Sequence, residues 1–219
     1  MLNRYARAFL TRLLTPVARA LVALGISPDV VTLVGTLGVC TGALGFYPRG
    51  SFFWGTIVIT LFVFSDTLDG IMARTAGRSS AWGAFLDSTL DRIADASVFG
   101  GLVLYYAGRG AQPVMASLAL ACLVLGQVVS YARARAEGLG MTADVGIAER
   151  SERLVAVLLT TGLVGLGLPE RVLTVVLALL ALASLITVGQ RMLAVRRQVL
   201  ARSATPPTVS SMPGGKIDG

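Results

Sequence analysis

Residues 65–95 read SDTLDGIMARTAGRSSAWGAFLDSTLDRIAD and set four carboxylates, Asp66, Asp69, Asp87 and Asp91, inside a chain that otherwise favours lipid. Hydrophobic residues make up 54% of the 219 and charged residues only 14%, with a mean hydropathy of +0.74. That is too apolar for an ordinary water-soluble domain. On either side of the short TAGRSSA linker the sequence reads as helix, so acids three and four apart project from one face of each segment. Two helices joined by so short a turn are antiparallel neighbours, and their acidic faces can meet. The hairpin therefore belongs to an all-α, polytopic membrane protein that keeps acids inside its bundle.

Working outward, six apolar segments have the length expected of membrane spans, for which about 20 residues cross a hydrocarbon core. They cover Asp29–Tyr47, Ser51–Arg74, Trp82–Ala107, Pro113–Ala136, Glu152–Leu168 and Arg171–Arg191. Their many Gly, Ala, Ser and Thr residues favour close helix approach in lipid. Ahead of them, residues 1–26 form an interfacial amphipathic helix, with Leu2, Phe9, Leu10, Leu13, Val17, Leu21 and Leu24 opposite Arg4, Arg7, Arg12 and Arg19. Pro16 removes a backbone donor and predicts a kink or split near Thr15. Ser27 then serves as N-cap and Pro28 as the first residue of the next helix. The division expected is an interfacial helix over 1–26, a six-helix membrane domain over 27–201 and a disordered tail over 202–219. The N-terminus lacks the polar cleavage region of a removed signal peptide.

Charge distribution sets the orientation. With the N-terminus inside, the outer turns carry only Arg49, Arg109 and Arg171, and nearly all other basic residues fall at the inner face. Positive loops stay in the cytoplasm, so both termini and the inner end of the acidic hairpin are expected there, in the cell membrane. The net charge of +7 is not gathered into a basic run interleaved with aromatics, which argues against nucleic acid and for anionic lipid. Cys40 and Cys122 lie within apolar runs and are assigned neither a disulfide nor a metal.

Ion pairs with Arg74, Arg78 or Arg92 would account for any one of the acids. Four carboxylates at a common depth repel and desolvate one another unless something positive lies among them. A hard divalent cation meets that need, and in a chain without histidine oxygen ligands favour Mg²⁺, Mn²⁺ or Ca²⁺ over zinc. Gly70, next to Asp69, lets another group approach the backbone closely.

The pattern Asp66-x-x-Asp69-Gly70-x-x-Ala73-Arg74, eight residues, Gly83-x-x-x-Asp87-x-x-x-Asp91 resembles the signature of the CDP-alcohol phosphotransferase family. TPVARALVALGISPDVVTLVGT, SYARARAEG, AERSERL and LITVGQR are similar to the actinobacterial phosphatidylinositol phosphate synthases of that family. The resemblance implies a CDP-linked donor, usually CDP-diacylglycerol, and Mg²⁺ (or Mn²⁺) held by Asp66, Asp69, Asp87 and Asp91. An acceptor hydroxyl then attacks the lipid-side phosphate and CMP leaves, with Asp91 also at the general-base position. It further implies donor contacts at Asp29, Val30, Val31, Thr32, Gly70, Arg74 and Ser80, and a homodimer. Many relatives carry Asn in place of Asp29. Asp95 falls outside the signature and reads as an ion-pair or capping residue.

The acceptor implied is inositol 1-phosphate, a dianion, and dianions near a membrane are met by arginine. Arg133, Arg153 and Arg191 fall at the acceptor-phosphate positions of the synthases resembled, although a lysine commonly stands where this chain has Arg133. Three competing readings follow from the same residues. Glycerol 3-phosphate would make the enzyme a phosphatidylglycerophosphate synthase. A membrane prenyltransferase would need acidic motifs in two separated halves, and an ion transporter would leave Gly70, Ala73 and Gly83 without a role.

Overall fold

In the computed structural model, residues 14–75 and 80–204 are described; of Asp66, Thr67, Thr75 and Ala204, only the backbone is. The expected amphipathic stretch over residues 1–13, linker residues 76–79 and tail residues 205–219 lie outside the described residues. The described chain is helical without strands: α1 (Leu14–Ala23), then α2 (Pro28–Phe46), a 3-10 turn (Tyr47–Arg49), α3 (Phe52–Val63), α4 (Ser65–Thr75), α5 (Ala81–Ala107), α6 (Pro113–Gly138), α7 (Arg150–Gly165) and α8 (Glu170–Ala204).

Local chemistry sets these boundaries. Helix α1 ends at Gly25, whose φ of 78° is open to glycine at little cost. There Gly25 N donates to Val22 O and Ile26 N to Leu21 O, the paired bonds that close a helix C-terminus. Ser27 caps α2 by accepting from Val30 N at 3.4 Å, with Pro28 in the first turn. Ser80 caps α5 in the same way, accepting from Gly83 N at 3.0 Å.

The span expected over Ser51–Arg74 is interrupted at Phe64, between α3 and α4. The Ser65 hydroxyl donates to Phe62 O at 2.5 Å, competing with the helical ladder at that turn. A Cβ on Gly35 would collide with the Ser65 hydroxyl, so only glycine lets α2 approach the junction this closely. At its other end the bundle is drawn together at Gly101, where a Cβ would lie 2.6 Å from Ala43 O.

Helix α2 packs on α5 and α3, α5 on α6, α6 on α8, and α7 on α3 and α8. Their shared core includes Tyr47, Phe52, Ile59, Val98, Leu102, Tyr106, Leu173 and Leu177. The buried Tyr47 hydroxyl is satisfied by Thr56 Oγ1 at 2.8 Å. A separate small cluster, Ala18 with Ile71 and Met72, seats α1 against α4. Outward-facing Leu37, Trp54, Leu61, Leu104, Leu159, Leu179 and Leu182 are exposed, as lipid contact requires rather than water.

Among the described residues, four stretches are long and apolar enough to cross a membrane: Pro28–Arg49, Phe52–Arg74, Pro113–Gly138 and Glu170–Ser203. Helix α5 has the length but carries Asp87, Asp91, Arg92 and Asp95 between residues 87 and 95, and α7 has 16 residues. The chain is a helical membrane protein. Its last helix outruns the expected span end at Arg191 and includes Arg202–Ala204, assigned to the tail from sequence. The added turns are held by the α6–α7 connector: Gln198 accepts from Thr142 N at 3.0 Å, and Arg202 donates to Gly140 O.

Candidate active site

Two cavities lie where α2, α5 and α7 begin and α4 and α6 finish. The first encloses about 230 Å³ among Pro28, Asp29 and Thr32 of α2, Asp69, Gly70 and Ala73 of α4, and Ser80, Gly83, Ala84 and Asp87 at the start of α5. Asp69 is buried, and Thr32 donates its hydroxyl to Oδ2 at 2.6 Å. A bond to an ionised acceptor is among the stronger ones a hydroxyl makes. A Cβ on Gly70 would meet only the end of the Arg74 side chain, at 3.6 and 3.9 Å. The glycine is thus not forced by helix packing, and its lack of a side chain leaves open volume.

Asp29, Thr32, Gly70 and Ser80 therefore share one cavity with Asp69 and Asp87, with Arg74 reaching over Gly70. Val30 and Val31 are not among its walls: Val30 is exposed, and Val31 packs on the Ile71 and Met72 cluster. The Asp66 side chain lies outside the described residues, although its backbone stands in α4 one turn before Asp69. Among the described residues no three acidic, histidine or cysteine side chains converge as a metal cluster.

Asp91 is not among the residues lining the first cavity. Its Oδ1 lies 2.8 Å from Arg150 Nη2 and its Oδ2 3.4 Å from Arg92 Nη2. Both arginines line the second cavity, about 550 Å³, together with Arg133, Arg153 and Arg191. Among the described residues Glu137 and Glu149 are the acids on its walls, while Asp91, Asp95 and Asp144 pair with its arginines from outside that lining. Ala84 lines both cavities.

Each of the three arginines singled out from sequence is held differently. Arg153 is buried, donates from Nη1 to Ala148 O at 3.0 Å, and has an Nε without a hydrogen-bond partner among the described residues. Arg191 donates from Nε to Val145 O at 3.0 Å and from Nη1 to Val129 O, tying α8 to α6 and the connector. Arg133 is exposed and pairs with Glu137 at 3.0 Å and Asp144 at 3.1 Å. Helix α7 is launched by a capping box between Glu149 and Glu152. The connector before it is pinned by Thr187 Oγ1, which accepts from Ile147 N and Ala148 N, each at 3.2 Å.

Sequence reasoning passed over Arg92 and Arg150 as site residues and left Asp95 as a mere pairing group. A signal for Arg150 was present, since it precedes Arg153 by three and shares its helix face.

The sequence model of the CDP-alcohol phosphatidyltransferase family matches residues 25–187, the region that builds most of both cavities. The phosphatidylinositol phosphate synthase of Streptomyces avermitilis is 57% identical over 204 residues, covering 90% of this chain and 84% of the relative. That of Cutibacterium acnes is 47% identical over 198 residues, covering 87% and 96%. Among solved structures, the Mycobacterium tuberculosis phosphatidylinositol phosphate synthase with CDP-DAG bound superposes with a TM-score of 0.81 at 41% identity, covering 92% of this chain and 98% of that one. The same enzyme in complex with manganese and citrate gives 0.79 at 40% identity, covering 93% and 96%. With the aspartate spacing, the helical architecture and these matches in agreement, the chain belongs to the CDP-alcohol phosphatidyltransferase family.

Proposed function

We propose that the protein joins CDP-diacylglycerol to inositol 1-phosphate, giving phosphatidylinositol phosphate and CMP. The observation that carries this reading is the adjacency of the cavities: one lined by Asp69, Asp87, Gly70 and Ser80, the other by five arginines. A nucleotide diphosphate donor suits the first and a phosphorylated polyol the second.

The donor set fits a hard divalent ion, Mg²⁺ or Mn²⁺, since Asp69 and Asp87 bring carboxylate oxygens to one cavity that contains neither sulfur nor imidazole. Asp66, Asp69, Asp87 and Asp91 would hold it. When bound, such an ion neutralises the diphosphate and stabilises the leaving phosphate. Thr32 fixes the Asp69 carboxylate, while Gly70 gives the donor access to the helix backbone. Asp29 and Ser80 line the same space and Arg74 reaches toward Gly70 at its side, while Val30 and Val31 stand outside it.

On the acceptor side, Arg133, Arg153 and Arg191 bind the phosphate and so orient the inositol ring. The hydroxyl oxygen attacks the lipid-side phosphorus, the bond to the CMP phosphate breaks, and CMP leaves with that electron pair. Asp91 takes the hydroxyl proton. Its Oδ2 lies 3.4 Å from Arg92, one of the arginines lining the acceptor cavity.

The setting proposed is the cell membrane, spanned six times with α3 and α4 as one crossing, with the active site and both termini facing the cytoplasm. Helix α7 rises only about 24 Å, so its crossing draws on the connectors at its ends. A homodimer remains the assembly that the family resemblance implies. The deciding test offers purified enzyme CDP-diacylglycerol with radiolabelled inositol 1-phosphate or glycerol 3-phosphate. Labelled lipid and equimolar CMP from the inositol phosphate alone would support the assignment, and use of glycerol 3-phosphate alone would overturn it.

A further inference from the structure

Asp95 lies one helical turn beyond Asp91 and outside the spacing of the four acids. It is 7% exposed, and carboxylates so buried persist only with partners. Its Oδ1 accepts from Arg150 Nε at 3.0 Å, and its Oδ2 lies 3.9 Å from Arg153 Nη2. The same Arg150 reaches Asp91 through Nη2. One guanidinium thus joins Asp95 to Asp91, and Asp95 stands beside two of the five arginines of the second cavity.

Arginines crowded on one wall repel one another, and long side chains retain many rotamers unless something holds them. Arg153 is 2% exposed, yet its Nε has no hydrogen-bond partner among the described residues, a cost that a native site tolerates where a ligand is to be met.

We infer that Asp95 is a positioning residue of the acceptor cavity: it fixes Arg150 and Arg153 in place before a phosphorylated acceptor arrives. The inference rests on the reading of the second cavity as the acceptor site. It makes a prediction opposite in sign to simple charge counting. Removing an anion beside a phosphate site raises the local positive potential and would tighten binding. Loss of preorganisation weakens it instead.

The test compares wild type, Asp95→Asn, Asp95→Glu and Arg153→Ala as purified protein, measuring KM for inositol 1-phosphate and for CDP-diacylglycerol, with calorimetric titration of inositol 1-phosphate alongside. Asp95→Asn should raise the acceptor KM about tenfold, within the range of coupling between contacting residues. The donor KM should stay within about twofold, and Asp95→Glu should recover part of the loss. An unchanged or lower acceptor KM in Asp95→Asn, with Arg153→Ala impaired, would overturn the inference and leave the acceptor reading intact. Equal rises in both KM values would make Asp95 purely structural and also overturn it. An unaffected Arg153→Ala would remove the acceptor reading and the inference together. Should Asp95→Asn fail to fold, Arg150→Gln removes the other half of the pair. It should raise the acceptor KM similarly and lower kcat, and an unchanged acceptor KM there overturns the inference.

Discussion

The Thr32 hydroxyl donates to Oδ2 of Asp69 across 2.6 Å, tying the first turns of α2 to α4 at a buried carboxylate. The same hydroxyl lies 3.1 Å from Pro28 O, within its own helix. Thr32→Val keeps the branched shape and deletes the donor. A hydrogen bond to a charged group contributes about 1.5–3 kcal/mol, so kcat/KM should fall roughly ten- to a hundredfold. Titrating activity against Mn²⁺ should show a higher metal requirement. Wild-type kinetics in Thr32→Val would mean that Asp69 needs no such tether.

The acids themselves give a sharper test. Asp66→Asn, Asp69→Asn and Asp87→Asn each remove a negative oxygen at nearly constant size, so insertion and purification should be normal while activity nearly vanishes. Chelation of the wild-type enzyme should give the same loss, and added Mg²⁺ or Mn²⁺ should reverse it. Full turnover in excess EDTA would exclude a role for the metal.

How much of this was legible in sequence depended on whether the cause was local. The helix start at Pro28 was, because Ser27 caps it by a bond three residues long; the Ser80 cap that starts α5 at Ala81, one residue before the expected Trp82, was not read. Of the acidic hairpin, the spacing implied facing carboxylates, and the structure brings Asp69 and Asp87 to one cavity. The break at Phe64 was not, since apolar residues continue through it and Ser65 acts on the backbone of Phe62. The final turns of α8 were hidden for another reason: Gln198 and Arg202 are satisfied by a connector 56 and 62 residues away. Arg150 and Asp95 are also a long-range pair, joining helices 55 residues apart. Charge patterning along one helix could not reveal it.

Gly70 separates a packing glycine from a ligand-facing one. An added methyl would meet only the Arg74 guanidinium, at ordinary contact distance, so Gly70→Ala should fold and melt like wild type. The methyl would still enter the first cavity, and overfilling a fitted space costs about 1–3 kcal/mol. The KM for CDP-diacylglycerol should therefore rise on the order of tenfold with the acceptor KM unchanged. A loss of thermal stability with normal donor affinity would assign the glycine to helix packing instead.

Orientation is decided by the connectors flanking α6. The orientation proposed from the arginine asymmetry would put the α5–α6 turn outside and the α6–α7 connector in the cytoplasm. Arg109 and Leu139 are exposed at these two places, and neither lines either cavity. Gly110 is a poorer choice, because a Cβ there would sit 2.8 Å from the Tyr105 ring. The native Cys40 and Cys122 stand within α2 and α6, so an impermeant thiol reagent should label wild-type cells little. Intact cells should label Arg109→Cys and spare Leu139→Cys, and permeabilised cells should label both. Losing Arg109 removes a positive charge from the outer side, which reinforces the expected topology rather than opposing it. The reverse pattern would place the arginine cavity outside the cell, away from a cytoplasmic supply of CDP-diacylglycerol and phosphorylated acceptor.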